Sequence, residues 1–229
     1  MTFNNNPKKI LVEKFHPKFT ELKGIAILLI LIYHSGGVLG INNYLHGEIG
    51  VDIFLLISGS LLTLNYYTKN NLSYFFVAKR LIKIIPLYWL ILTAVIIFKK
   101  YLLSIKYDNI DILFHFLGMQ AFNKNYFLSI NDSFWFISAI LLCYFLFIFI
   151  FKYLKKEQEN LIFYGFGLAI ILQIIALLTS FSVFLIHFST RIISFTLGIL
   201  IMLAIKKKLE IKLNSKIIVV FLIQSYIVL

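Results

Sequence analysis

Two ionisable side chains, His34 and Asp52, lie inside neighbouring apolar stretches of this sequence. An ionisable group in bilayer hydrocarbon costs at least ~2.5–3.5 kcal/mol, so by default such a residue serves function. A carboxylate near an imidazole fixes the tautomer of the ring and raises its basicity, which suits a general base near neutral pH. We therefore predict that His34 is a catalytic base and that Asp52 orients it. The alternative for His34 is a ring that only bonds a neighbouring helix.

The composition is that of a polytopic membrane protein. The 229 residues are 60% hydrophobic and 14% charged, whereas a soluble domain is roughly 45–50% apolar and about a quarter charged. The net charge of +12 comes largely from lysine clusters that flank apolar stretches. Such clusters orient a protein in the lipid bilayer, so we expect no nucleic-acid partner. No metal-ligand spacing stands out, and we expect no metal.

The apolar segments predict an all-α bundle of about seven transmembrane helices, because strand-like alternation of period two is absent. An eighth segment, 110–122, has only 13 residues and is predicted not to cross, since a crossing needs ~20 residues. Its His115 is interpreted as structural, as is His187. The predicted spans are 24–41, 49–67, 81–98, 134–151, 161–178, 183–205 and 217–229.

Lysine placement predicts the orientation of these spans. Five lysines precede the first span and none lies in the following loop, 42–48. Cytoplasmic segments hold the excess of lysine, so we expect a multi-pass protein of the plasma membrane of the cell whose N-terminus is in the cytoplasm. The expected organisation is a cytoplasmic segment, 1–22, and a membrane domain, 23–229. The last span ends at Leu229 without a polar flank, so we expect this chain to be truncated from a bundle of about ten helices. A homo-oligomer is possible.

Three cations, Lys79, Arg80 and Lys83, stand together before the third apolar segment. They are positioned to clamp the phosphates of a nucleotide-like donor such as coenzyme A. Orienting charges beside an aromatic belt are the alternative interpretation.

Other polar or aromatic residues accompany this pattern. Arg191 interrupts an apolar segment and needs a partner, which Asp52 or a substrate group would supply; a buried ion pair that fixes helix packing is the alternative. Glu48 is interpreted either as substrate-binding or as a solvated loop residue, and a metal site of His46, Glu48 and Asp52 is the less favoured alternative. Trp135 is expected to anchor the membrane interface or to form a pocket wall. By helical rise, we expect His34 about 15 Å above Gly24, near the midplane of a ~30 Å core.

Taken together, these segments resemble the integral-membrane acyltransferase family 3, the O-acetylating enzymes of bacterial surface polysaccharides. Lys23 and His34 match its first-helix motif of a basic residue, a ten-residue spacer and a histidine. The resemblance covers roughly 21–204 and depends on the order of the motifs more than on any one of them. The further matches are Gly50-Val51-Asp52-Ile53-Phe54 with Ser58-Gly59, Lys79-Arg80 through Pro86-Leu87-Tyr88-Trp89, Trp135, and Arg191 with Leu197-Gly198.

The sequence also departs from that family. Lys23 and Lys83 stand where arginine is usual, which weakens bidentate phosphate binding. Many members have a glutamate five positions after the tryptophan, where this chain has Ile140. The family usually has about ten helices, so the resemblance too implies that part of the bundle is missing.

The resemblance implies an acyl-CoA-dependent O-acyltransferase, with acetyl-CoA as co-substrate and a hydroxyl of a cell-surface glycan or its precursor as acceptor. It implies that Lys79, Arg80 and Lys83 bind the donor and that Lys23 lines its path. It also implies that His34 is the base or carries the acyl group, and that Arg191 holds the acceptor or stabilises developing oxyanion charge. A transporter of glycans or lipids and an inactive structural subunit remain the alternatives.

Overall fold

The computed structural model describes residues 7–38, 47–69, 75–154 and 183–207, with seven separate helical positions between 167 and 178. Within these residues the regular structure is helical and no strand occurs, which confirms the predicted all-α class. Most of the predicted span 161–178, and all of 217–229, lie outside the described residues.

Five of the described helices are long and apolar enough to cross a membrane. A sixth, α4, has eight residues, about 12 Å at 1.5 Å per residue, and is too short to cross. Short 3₁₀ turns occur at Gln120–Phe122 and Asp132–Phe134. The α-helices are α1 (Pro7–Val38), α2 (Gly47–Lys69), α3 (Phe75–Leu102), α4 (Asn109–Phe116), α5 (Trp135–Leu154) and α6 (Val183–Lys207).

Helix α1 begins well before the predicted span 24–41. It starts at Pro7, and its candidate membrane span is His16–Gly36. The lysines in its first turns do not end the helix, because lysine is a good helix former whose long stem carries the charge away from apolar surroundings. His34 lies two residues before the last residue of this candidate span, and its depth in the membrane stays a prediction.

The chain forms two compact units, of which the first contains α1, α2 and most of α6. Helices α1 and α2 pack antiparallel and very closely. A Cβ on Gly50 would lie 2.9 Å from the carbonyl oxygen of Ala26, and one on Gly47 would overlap the ring of Tyr33. Glycine at both positions thus lets the two backbones approach, as small residues do in membrane bundles.

Helices α2 and α6 run parallel and touch through their backbones. A Cβ on Gly198 would collide with the carbonyl group of Leu56, and one on Gly59 with that of Phe195. The hydroxyl of Ser60 donates a hydrogen bond to the carbonyl oxygen of Gly198 at 2.9 Å. Small residues on both sides therefore fix the crossing point and the register of this pair.

The parallel direction of α2 and α6 bears on the number of crossings. Two parallel membrane helices are separated by an odd number of spans, and α3, α5 and the predicted span 161–178 make three. A fourth crossing at 110–122 would have made α2 and α6 antiparallel. The short α4 agrees with the prediction that 110–122 does not cross. The direction of α6 agrees with it as well if 161–178, most of which lies outside the described residues, crosses as the sequence predicts.

The second unit contains α3, α4 and α5 and the connection between them. Its buried cluster consists of Tyr88, Leu92 and Ile130. Side chains of α3 hold the connection by donating to its carbonyl oxygens: Trp89 to Phe116 at 2.8 Å and Lys99 to Ile130 at 2.6 Å. The carbonyl oxygen of Phe116, the last residue of α4, is satisfied in this way.

Candidate functional site

Arg191 and Asp52 form a buried ion pair between α6 and α2. The Nη1 atom of Arg191 lies 2.6 Å from Oδ1 of Asp52, and the two side chains are 0% and 3% exposed. The hydroxyl of Ser194 donates to the same Oδ1 at 2.7 Å. Of the two partners expected for Arg191, Asp52 or a substrate group, the structure shows Asp52.

Arg191 also binds a second carboxylate, that of Glu48 in the first turn of α2. Its Nη2 atom donates to Oε2 of Glu48 at 2.9 Å, and the Glu48 side chain is 22% exposed. A planar guanidinium presents several donors in a fixed fork, so one arginine can bridge two acids. Glu48 is therefore the most exposed of the charged residues in this cluster.

Ser194 is a member of the cluster that the sequence prediction missed. It lies three residues after Arg191, and Gly198 lies four further on, so the three share one face of α6. Its buried hydroxyl bonds both the Asp52 carboxylate and the carbonyl oxygen of Thr190. Helical spacing from Arg191 was the signal that would have found it.

His34 lies apart from the Asp52 carboxylate. The contact of Tyr33 with Gly47 places His34 level with the start of α2, and its side chain is exposed on the described surface. Among the residues that the structure describes, the polar contacts of Asp52 are with Arg191 and Ser194. Asp52 thus orients the arginine of α6 in this structure, and the role of His34 as base stays a prediction.

Lys23 lies about three helical turns before His34 on α1. Its Nζ atom is 4.0 Å from the centroid of the Phe54 ring on α2, a cation–π distance. Lys23 and Phe54 thus stand at one level of the α1–α2 pair, and Tyr33 and Gly47 at another.

In the second unit, the three predicted donor-binding cations lie within the first two to three turns of α3. Lys79 and Lys83 are exposed and four residues apart, so they share one face of the helix. Arg80 faces differently: its guanidinium carbon lies 5.9 Å from the centroid of the Tyr144 ring on α5. Two of the three cations are therefore open to a ligand, and the third also packs within the unit.

Trp135 is the first residue of α5, a position that suits a residue at the membrane interface. Its ring lies 6.2 Å from that of Phe136, and it is half-buried. Ile140, five positions later, is 3% exposed and buried in apolar surroundings. Within the described residues, no group of three or more His, Cys, Asp or Glu side chains is arranged to hold a metal ion.

Comparison with known proteins identifies the family. The profile of the Acyltransferase domain family matches residues 20–228, nearly the whole chain, and the chain belongs to that family. Over 111 residues it is 27% identical to the protein named "Putative acetyltransferase ORF330" of Acidianus two-tailed virus. That match covers 48% of this chain and 33% of the viral protein. No solved structure matches the chain.

Proposed function

We propose that this protein is a membrane-bound O-acyltransferase that moves an acetyl group from acetyl-CoA to a hydroxyl of a cell-surface glycan or its precursor. Membership of the Acyltransferase domain family carries this proposal. The buried cluster of Glu48, Asp52, Arg191 and Ser194 supports it, since burying three charged groups is costly and membrane proteins retain such groups mainly for function.

The donor side of the proposal rests on α3. Lys79 and Lys83 expose two ammonium groups on one helix face, and Arg80 adds a guanidinium nearby. Phosphate groups of coenzyme A would bind these cations through charge-assisted hydrogen bonds. If the N-terminus is cytoplasmic, as the lysine placement predicts, this end of α3 faces the cytoplasm, where acetyl-CoA is available.

The acceptor side rests on the start of α2. Glu48 is partly exposed and held by Arg191, so its carboxylate is oriented to accept hydrogen bonds from sugar hydroxyls. His34 stands level with the same turn. In the reaction, His34 takes the proton of the acceptor hydroxyl, the oxygen attacks the thioester carbonyl, and the C–S bond breaks. The ester forms and the coenzyme A thiolate takes up a proton.

The proposal is tested by following acceptor-dependent release of coenzyme A from acetyl-CoA in reconstituted membranes. We expect release by the wild-type protein and its loss in His34→Ala. The matched control is His16→Ala, which removes an exposed histidine from the same helix. Release that persists in His34→Ala would exclude His34 as the base, and no release with any acceptor would overturn acyl transfer in favour of a transport or structural role.

A further inference from the structure

A second buried polar cluster lies in the connection between α3 and α5. His115 of α4 is 0% exposed. Its Nδ1 atom lies 3.0 Å from the carbonyl oxygen of Asp111 and 3.0 Å from Oδ1 of the same residue. The hydroxyl of Ser129, eighteen residues along the chain from Asp111, donates to that Oδ1 at 2.8 Å. His115 is therefore held by a carboxylate that is itself held in place.

This geometry assigns the tautomer of His115. Both neighbours of Nδ1 are oxygen acceptors, so Nδ1 carries a proton. In the neutral ring the other nitrogen, Nε2, then has a free lone pair and acts as an acceptor. Nε2 is buried and has no partner within the described residues.

Gln120 contributes a second buried acceptor without a partner. Its Nε2 donates to the carbonyl oxygen of Phe134 at 2.6 Å, which leaves Oε1 buried and unpaired. Both residues contact Phe134, Gln120 at the backbone carbonyl oxygen and His115 at the ring, since the His115 ring lies 6.3 Å from that of Phe134. Tyr88 packs on Phe134 at 5.4 Å and donates its hydroxyl to the carbonyl oxygen of His115 at 2.9 Å.

Two acceptors cannot satisfy each other. A buried acceptor without a donor is destabilising, and this cluster contains two of them. A small molecule or group that brings donor hydrogens would satisfy these acceptors. Because His115 and Gln120 are fully buried, the ligand group must also be small.

We propose that Asp111, His115 and Gln120 form a binding site for a hydroxyl donor, in which His115 Nε2 and Gln120 Oε1 accept its hydrogen bonds. Two sources share this chemistry, an internal water molecule and a hydroxyl group of the sugar acceptor. The second source rests on the proposed function, whereas the first does not.

The direct test is ¹⁵N NMR of the ring nitrogens in the full chain, labelled at histidine and held in lipid nanodiscs. The chain has five histidines, and the signals of His115 are identified as those that are lost in His115→Asn. We expect an unprotonated Nε2 whose shift is displaced toward that of a protonated nitrogen, as for an acceptor of a hydrogen bond. A protonated Nε2 would overturn the site. So would an Nε2 that shows the chemical shift of a free imine nitrogen both with and without acceptor glycan.

Kinetics and stability distinguish the two sources. His115→Asn keeps an N–H donor toward Asp111 and removes the Nε2 acceptor. If the ligand is the sugar hydroxyl, acceptor glycan shifts the Nε2 signal of the wild type, and His115→Asn raises the acceptor KM about 3- to 10-fold without changing the KM for acetyl-CoA.

If the ligand is water, glycan leaves the signal unchanged and His115→Asn lowers the melting temperature while both KM values hold. A variant that changes neither KM nor melting temperature would contradict both sources. The NMR result stands even if no acyl transfer is found, so the failure of this site and the failure of the proposed function are distinguishable.

Discussion

Gly198 of α6 lies against the carbonyl group of Leu56 on α2, so closely that a Cβ at this position would overlap it. One turn from this contact, Ser194 reaches the carboxylate of Asp52. The crossing of the two helices and the buried ion pair therefore belong to one interface, and a change in helix separation changes the geometry of the polar cluster.

We expect Gly198→Ala to destabilise the protein by at least about 1–3 kcal/mol, the cost of overpacking, because neither backbone can yield locally. Thermal unfolding in detergent measures this. Gly24→Ala is the matched control, since a Cβ there meets nothing within 4 Å and alanine favours the helix by roughly 0.5–1 kcal/mol over glycine. Equal effects at the two positions would contradict the close crossing.

Arg191→Met should destabilise the protein by about 3–5 kcal/mol, because it leaves the buried Asp52 carboxylate without its countercharge. The double variant Asp52→Asn with Arg191→Met should recover most of that loss. The double-mutant cycle gives the coupling energy. If the recovered protein also regains acyl transfer, the pair serves packing alone; if it stays inactive, the charges act in function.

Ser194→Ala tests how much the hydrogen bond between Ser194 and Asp52 contributes to stability. It removes the hydroxyl that donates to Asp52 Oδ1 and leaves the ion pair with Arg191 in place. A hydrogen bond to a charged group contributes about 1.5–3 kcal/mol, so we expect a measurable drop in melting temperature. Rescue by Ser194→Thr, which keeps the hydroxyl, would support the assignment, whereas an equal loss in both variants would contradict it. Ser138→Ala on α5 is the control, because the Ser138 hydroxyl is buried without a partner.

The donor site predicts a selective kinetic effect. Replacing both Lys79 and Lys83 by glutamine should raise the KM for acetyl-CoA by roughly tenfold or more, since each charge-assisted contact to phosphate contributes about 1.5–3 kcal/mol. We expect kcat at saturation to hold. Lys100→Gln, at the opposite end of α3, removes an exposed charge and should leave this KM unchanged. An equal response to both changes would indicate a general charge effect.

The topology predicts one labelling pattern. Lys106 and Lys124 are both exposed and lie on either side of α4. Because α4 is too short to cross, cysteines placed at the two positions in a Cys143→Ser background should react from the same side of the membrane. Labelling from opposite sides would show that 110–122 crosses.

Hydropathy predicted the spanning helices well and their ends less well. The predicted span 183–205 agrees with α6, Val183–Lys207, to within two residues, whereas α3 begins at Phe75, six residues before its predicted span. The extra residues, 75–80, include Lys79 and Arg80, which form helix readily but lower a hydropathy average. An apolar window therefore finds the membrane core of a helix and misses its charged turns.

The sequence predicted the part of the candidate site in which a buried charge needs a countercharge. Arg191 cannot lie alone in an apolar helix, and this requirement pointed to Asp52 before any geometry. The pairing of His34 with Asp52 was inferred from closeness in sequence, yet the α1–α2 register is set by contacts such as Tyr33 on Gly47. No periodic pattern connects Asp111 to Ser129, so the cluster around His115 follows only from the fold.

The attachment of α4 to α3 has a consequence for how this protein can diversify. Tyr88, Trp89 and Lys99 donate to main-chain oxygens, which every residue possesses, so these three hydrogen bonds do not depend on the side chains at the positions they contact. Two of those positions, His115 and Ile130, are themselves fully buried. Relatives that keep the three donors would be able to vary the exposed positions of the 103–134 stretch, and with them the molecules it contacts, on an unaltered helical frame.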